Sequence, residues 1–380
     1  KGNWQQEVNY TIQVTLDDQS HMLRGSEEFV YTNNSPATLN SIYIHLWPNA
    51  YKNNLTAFAK QQLENNSTSF YFAKPKARGY IDSLDFTVDA QSLKLTYHPE
   101  HVDLAKLTLN TPLKPGESIV ISSPFRVKVP GSFSRMGNLR NSYQITQWFP
   151  KPAVYDVNGW NTMPYLDQGE FYSEFGSFNV SITVPQNYVV AATGVLQDSS
   201  EMDWLNDRIT YYKGRGKREE DETASSALLK TLHFKQDKIH DFAWFADKRF
   251  YVQKNRVKVG QNNTVDTWAF FNLEESSRLF EAIYHETNWI EEDIRVYGKV
   301  YKQPRLTAFF ASNHKAYGYS NISMSPQPFS PIVNAMRLKI EKKTKMTFSS
   351  CLLNLYRDGQ DSNGWHADDE KELGENPVIA

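Results

Sequence analysis

From Tyr10 the chain alternates apolar and polar positions, with Ile12, Val14 and Leu16 separated by polar neighbours before Asp17-Asp18 supplies a turn. A period of two places these side chains on one face, which predicts a half-buried strand. Residues 27–31 fit as its partner, and Asn33-Asn34-Ser35-Pro36 makes the next turn. Segments 41–47, 104–109, 118–129, 178–184 and 232–234 continue the series, with Pro-Gly and Pro-Gln breakers between them. Many short strands without a long helix predict an antiparallel β-sandwich or saddle over roughly the first 270 residues.

The period changes after Trp268-Ala-Phe-Phe271. Asn272 is placed as an N-cap with Glu275 at the capping-box position, and Leu279, Phe280, Ile283 and Tyr284 form a helical apolar stripe. Ser330-Pro331 starts a second helix, whose Ile332, Val333, Met336 and Ile340 are expected to face inward. This change places a domain boundary between residues 271 and 272. Near the end, Cys351-Leu-Leu-Asn-Leu-Tyr reads as a buried strand with Asn354 and Tyr356 aimed inward, and Asp358-Gly359 and Asn363-Gly364 provide turns after it.

A chain of 380 residues is long enough for two domains, each with its own core. Hydrophobic residues at 40% and charged residues at 22% argue against wholesale disorder. The net charge of -2 provides no general basic surface, so any nucleic-acid contact must be local. Cys351, the single cysteine, rules out an internal disulfide and reads as a small core residue. No run of about eighteen apolar residues occurs, so no membrane span is expected. The opening Lys1-Gly-Asn-Trp has no apolar leader and reads as mature or cut sequence. The charge-dense run 214–226 reads as a solvated loop, and His240 and His314 read as structural.

Chemistry concentrates in Trp365-His366-Ala-Asp368-Asp-Glu370. In an extended segment His366 and Asp368 leave on one face and can converge on one metal ion. An imidazole and a carboxylate with positions left open form most of a non-haem iron oxygenase site. Together, Asn354-x-Tyr356, the following Arg-Asp-Gly, Trp-His366-x-Asp368-Asp-Glu and the closing Asn-Pro-Val-Ile-Ala resemble the AlkB family of iron(II)/2-oxoglutarate dioxygenases, near its DNA-repair members. The resemblance implies iron(II) held by His366 and Asp368, with 2-oxoglutarate hydrogen-bonded by Asn354 and Tyr356. It implies oxidative dealkylation of alkylated DNA or RNA bases. Arg295-Val-Tyr297-Gly-Lys299 resembles the family's finger loop, and Pro304-Arg305 with Tyr317-Gly-Tyr319-Ser320 resembles its substrate lid. On that basis Tyr297 would wedge into a duplex, Tyr319 would stack on an extruded base, and Asp369 and Glu370 would read a base edge. The family also uses a distal His and two Arg residues further downstream than Ala380. The C-terminal part is therefore expected to be a truncated α+β double-stranded β-helix, or jelly-roll, with negligible turnover.

A second resemblance lies upstream. Trp47-Pro-Asn-Ala-Tyr, the block Tyr143-Gln-Ile-Thr-Gln147-Trp-Phe-Pro-Lys-Pro through Trp160, and Asp167-Gln-Gly-Glu-Phe-Tyr-Ser-Glu-Phe-Gly176 resemble the N-terminal β-domain of aminopeptidase N-like zinc metallopeptidases. It implies that Gln147 matches the glutamine reaching into a peptide-binding cleft. No H-E-x-x-H zinc motif follows, because His285-Glu-Thr-Asn-Trp289 has Trp where the second His is needed. The expected fold is thus mainly β: a peptidase-type β-domain over 1–271 joined to an incomplete dioxygenase domain over 272–380. The alternative function is that of a cleft domain separated from its peptidase. The two resemblances also imply different habitats, an exported protein and one that works beside the genome, which suggests a gene fusion, a frameshift, an assembly error or a deliberately joined chain.

Overall fold

The computed structural model describes residues 4–212, 224–259, 263–272, 276–291, 293–296, 299–302, 305–313, 315–319, 322–344, 346–357 and 361. Most of the charge-dense run 214–226 therefore lies outside the described residues, as does His314. The protein is mainly β, with antiparallel sheets, and divides into two compact units, Lys1–Phe250 and Tyr251–Ala380.

In the first unit, β1 (Glu7–Asp17) and β2 (Met22–Thr32) pair antiparallel without a break from Glu7↔Thr32 to Asp17↔Met22. The Asp17 carboxylate closes their turn by accepting hydrogen bonds from the Gln19 and Ser20 amides and from the Ser20 hydroxyl at 2.5 Å. The alternation in the sequence is realised directly: Val8, Tyr10, Ile12, Val14 and Leu16 are all buried. A nine-stranded sheet extends from this ribbon, with Ser118–Lys128 beside β2 and β3 (Gly176–Pro185) beside β1.

The β1–β3 pairing is parallel, with Tyr10 opposite Phe178, and forms the exception to the antiparallel expectation in this sheet. At its start the backbones approach so closely that a Cβ on Gly176 would lie 1.7 Å from the Val8 carbonyl oxygen. Two four-stranded sheets and a two-stranded ribbon, Tyr155–Asp156 with Gly159–Trp160, make up the other sheets of the unit among the described residues. Their apolar faces meet around Ile42, Ile44, Trp47, Trp148, Phe178 and Trp244, all fully or nearly fully buried. Removing each such side chain from water contributes about 1.5–3 kcal/mol.

Two α-helices interrupt the strands of the first unit among the described residues. α1 (Ala57–Glu64) is capped by the Thr56 hydroxyl, which accepts from the Ala59 amide at 3.2 Å. The fourteen-residue α2 (Ser199–Tyr212) contradicts the expectation of no long helix. Among its described side chains only Glu201 and Leu205 are buried, so it lacks the apolar stripe that would announce a helix.

The second unit begins with a hairpin, Tyr251–Val259 against Asn263–Phe271. Next come α3 (Ser276–Glu286), the hairpin of β4 (Asp293–Val296) and β5 (Lys299–Lys302), and β6 (Leu306–Ala311), followed by α4 (Pro331–Thr344) and β7 (Ser350–Leu355). β6 and β7 pair antiparallel from Leu306↔Leu355 to Ala311↔Ser350. One face of β6, Ala308 and Phe310, packs with Val333 of α4, while Phe309 and Ala311 on the other pack with Tyr317 and Met324.

Helix faces depart from expectation at three positions. On α3, Phe280 and Tyr284 stack on each other with centroids 6.0 Å apart yet remain 56% and 45% exposed. Ile340 on α4 is 38% exposed rather than inward, because the helix meets the sheet near its start, at Ile332 and Val333.

Candidate functional site

The C-terminal candidates are organised by β6 and β7. Directly opposed residues of an antiparallel pair share a face, so Thr307 with Asn354 and Phe309 with Leu352 lie on one side. Cys351 and Leu353 lie on the other, against Ala308, Phe310 and α4. Burial pushes the Cys351 thiol up, consistent with a packing role.

Asn354 is exposed, and Tyr356, two residues on, is 44% exposed. Both were expected to point into a buried core, but β7 is only half-buried and has one paired strand among the described residues. Neither side chain makes a hydrogen bond to another described residue. An amide and a phenol of this kind, open on the rim of a packed ribbon, suit a polar ligand such as a carboxylate.

Tyr317 lies on the Phe309 side of the ribbon, buried to 8% exposure and stacked on Phe309 with centroids 5.3 Å apart. It shares the sheet face of Asn354 but serves as core. Tyr319 belongs to the same short strand, Tyr317–Tyr319, although its side chain is outside the described set. Arg305, expected in a substrate lid, is 4% exposed at the entry to β6. Tyr297 and the iron-segment residues His366, Asp368, Asp369 and Glu370 lie outside the described residues. Among the described residues no three His, Cys, Asp or Glu side chains converge to hold a metal ion.

An ionic network beside these residues was not anticipated from the sequence. The Arg357 guanidinium donates Nε to Asp361 Oδ2 at 2.8 Å and Nη2 to Asp361 Oδ1 at 2.9 Å, and Nη1 lies 2.6 Å from Glu291 Oε1. The Arg357 amide also donates to Asp361 Oδ2 at 2.8 Å. Lys302 Nζ reaches the other Glu291 oxygen at 2.9 Å. Lys302 and then Arg357 hold the Glu291 carboxyl below its ordinary range, and Arg357 does the same for Asp361. An Arg–Asp spacing of four residues was the available signal, whereas Glu291 is distant in sequence and gives none.

In the first unit Gln147 is 7% exposed and stands in the left-handed region at φ 52°. Its Nε2 donates to Asp241 Oδ2, and the buried Lys151 Nζ lies 2.6 Å from Asp241 Oδ1. Burial pushes the Lys151 ammonium pKa down, and the Asp241 charge opposes that shift. A non-glycine residue in this conformation costs about 1–3 kcal/mol, which the surrounding bonds must offset. Gln147 therefore braces the unit's interior. His285 of the zinc-like string is exposed, 3.3 Å from Glu281, and the Trp289 indole donates to the Tyr284 carbonyl.

No helix among the described residues is long and apolar enough to cross a membrane. Residues 267–380 match the sequence model of the 2OG-Fe(II) oxygenase superfamily, which implies iron(II) and 2-oxoglutarate. Alpha-ketoglutarate-dependent dioxygenase alkB homolog 3 of Homo sapiens is 39% identical over 117 residues, covering 29% of this chain and 38% of the relative. DNA oxidative demethylase ALKBH2 of Bos taurus is 28% identical over 158 residues, 36% of this chain and 57% of the relative. The chain thus spans well under two thirds of either relative. The M1 zinc metallopeptidase from Deinococcus radiodurans covers 73% of this chain, and the match spans 52% of that structure at 14% identity and a TM-score of 0.39. The C-terminal part of the chain is accordingly similar to AlkB-type 2OG-Fe(II) oxygenases.

Proposed function

We propose that the segment from residue 272 onward is an AlkB-type iron(II)/2-oxoglutarate oxygenase segment directed at alkylated nucleobases. The 39% identity to an alkB homolog across 117 residues is the observation that carries this reading. In it, His366 and Asp368 ligate iron(II), and Asn354 and Tyr356 hydrogen-bond the cosubstrate. Both of the latter are exposed and uncommitted to other described residues, as such a role requires. Tyr297, Tyr319, Asp369 and Glu370 face the nucleic acid, while Arg305 and Tyr317 support that surface from within the fold. Bound iron with 2-oxoglutarate and oxygen supplies the oxidising equivalent that hydroxylates an N-alkyl carbon. The chain's own work is to orient the cosubstrate and shield the ribbon's apolar face from water.

In this reading His366 and Asp368 supply an imidazole and a carboxylate of a facial triad. The test is succinate and dealkylated base formed from an oligonucleotide bearing a methylated base, at saturating iron(II) and 2-oxoglutarate. Product formation that vanishes in His366→Ala is expected. Equal product in both polypeptides, or none in either, contradicts the reading.

A further inference from the structure

We propose that Arg357 is a positioning residue that couples the β4–β5 hairpin to the exit of the strand bearing Asn354, making the two elements move as one. Two separate stretches meet at this side chain, and a third joins them through Glu291. Glu291 precedes β4 by two residues, Lys302 ends β5, and Asp361 lies in the segment that leaves β7 towards His366. Arg357 binds Asp361 with two guanidinium nitrogens and its own amide, and holds Glu291 with a third nitrogen. Glu291 in turn holds Lys302 with its second oxygen. A guanidinium can make these bonds together because its donors form a rigid planar fork, which an ammonium does not offer.

The backbone reinforces the link. Ile290, adjacent to Glu291, exchanges both amide–carbonyl hydrogen bonds with Thr307 at 2.9 Å, and Thr307 is the cross-strand partner of Asn354. The hairpin base is therefore connected to β7 through β6 and again around it through Arg357. If the segment is the oxygenase proposed above, contact at the hairpin and cosubstrate binding at Asn354 become energetically linked, and each should change the affinity of the other by the same factor. That functional meaning rests on the oxygenase reading, but the mechanical coupling does not.

Hydrogen exchange on the whole chain, without iron or 2-oxoglutarate, separates the two. Arg357→Ala should speed exchange about threefold, the scale of one exposed ion pair, both at 293–302 and at 357–361. Glu291→Gln should also speed exchange at 357–361, which the Glu291 side chain reaches, among the described residues, through Arg357, and should add nothing in an Arg357→Ala background. Arg357→Lys should restore protection at 293–302 but not at 357–361. An unchanged 357–361 segment in Glu291→Gln, or additive effects in the double variant, would overturn the coupling. Glu291→Gln and Arg357→Lys carry the test if Arg357→Ala unfolds. A chain that shows the coupling but never binds 2-oxoglutarate would refute the oxygenase reading alone.

Discussion

Tyr317 stacks on Phe309 with ring centroids 5.3 Å apart and planes 27° from parallel, on the sheet face that also carries Asn354. The ring that resembles part of a substrate lid is thus first a component of the second unit's core. Tyr317→Ala should lower the stability of that unit by about 3 kcal/mol, as for other buried aromatic truncations. Urea unfolding followed by fluorescence measures this, and an unchanged midpoint would show that the ring does not support the ribbon.

Gly176 tests the parallel junction of the first unit. With only 1.7 Å between a would-be Cβ and the Val8 carbonyl oxygen, Gly176→Ala must push β1 and β3 apart. A loss of about 2 kcal/mol is expected, confined to the first unit. Thermal unfolding indistinguishable from the parent would mean that the strands separate there without cost.

Two buried groups of the first unit give its stability opposing pH dependences. Burial raises the Glu174 carboxyl to about 7, so the folded state holds its proton where the unfolded chain has lost it. Its contribution is complete below the ordinary glutamate range near 4.5 and is lost as pH rises to about 7. Burial lowers His45 to about 3, so its contribution is present above its ordinary 6.5 and is lost as pH falls through 3. Glu174→Gln should therefore match the parent at pH 4 and gain stability progressively towards pH 8. A constant difference across that range would remove Glu174 as the cause.

The β1–β2 ribbon was legible because one face is buried, and burial stamps a period of two on Val8 through Leu16. The same logic paired Asn354 with Tyr356, yet it misjudged their exposure. Spacing determines which residues share a face, but the elements that cover that face are set by distant chain. Phe280 and Tyr284 show this again on α3, where a clear stripe stays exposed. α2 was missed for the opposite reason, since a helix burying Glu201 and Leu205 carries little periodic signal. His366 and Asp368 stood out by spacing and resemblance. The Arg357–Glu291 link, 66 residues apart, has no local signature at all.

The iron and 2-oxoglutarate site is tested most directly by thermal unfolding of the 380-residue polypeptide, with and without iron(II) plus 2-oxoglutarate, under exclusion of oxygen. Ligands that bind only the native state must raise its melting temperature. A rise in the second unit's transition is predicted, smaller in Asn354→Ala and absent in His366→Ala. No rise in the parent, or an equal rise in His366→Ala, would contradict it.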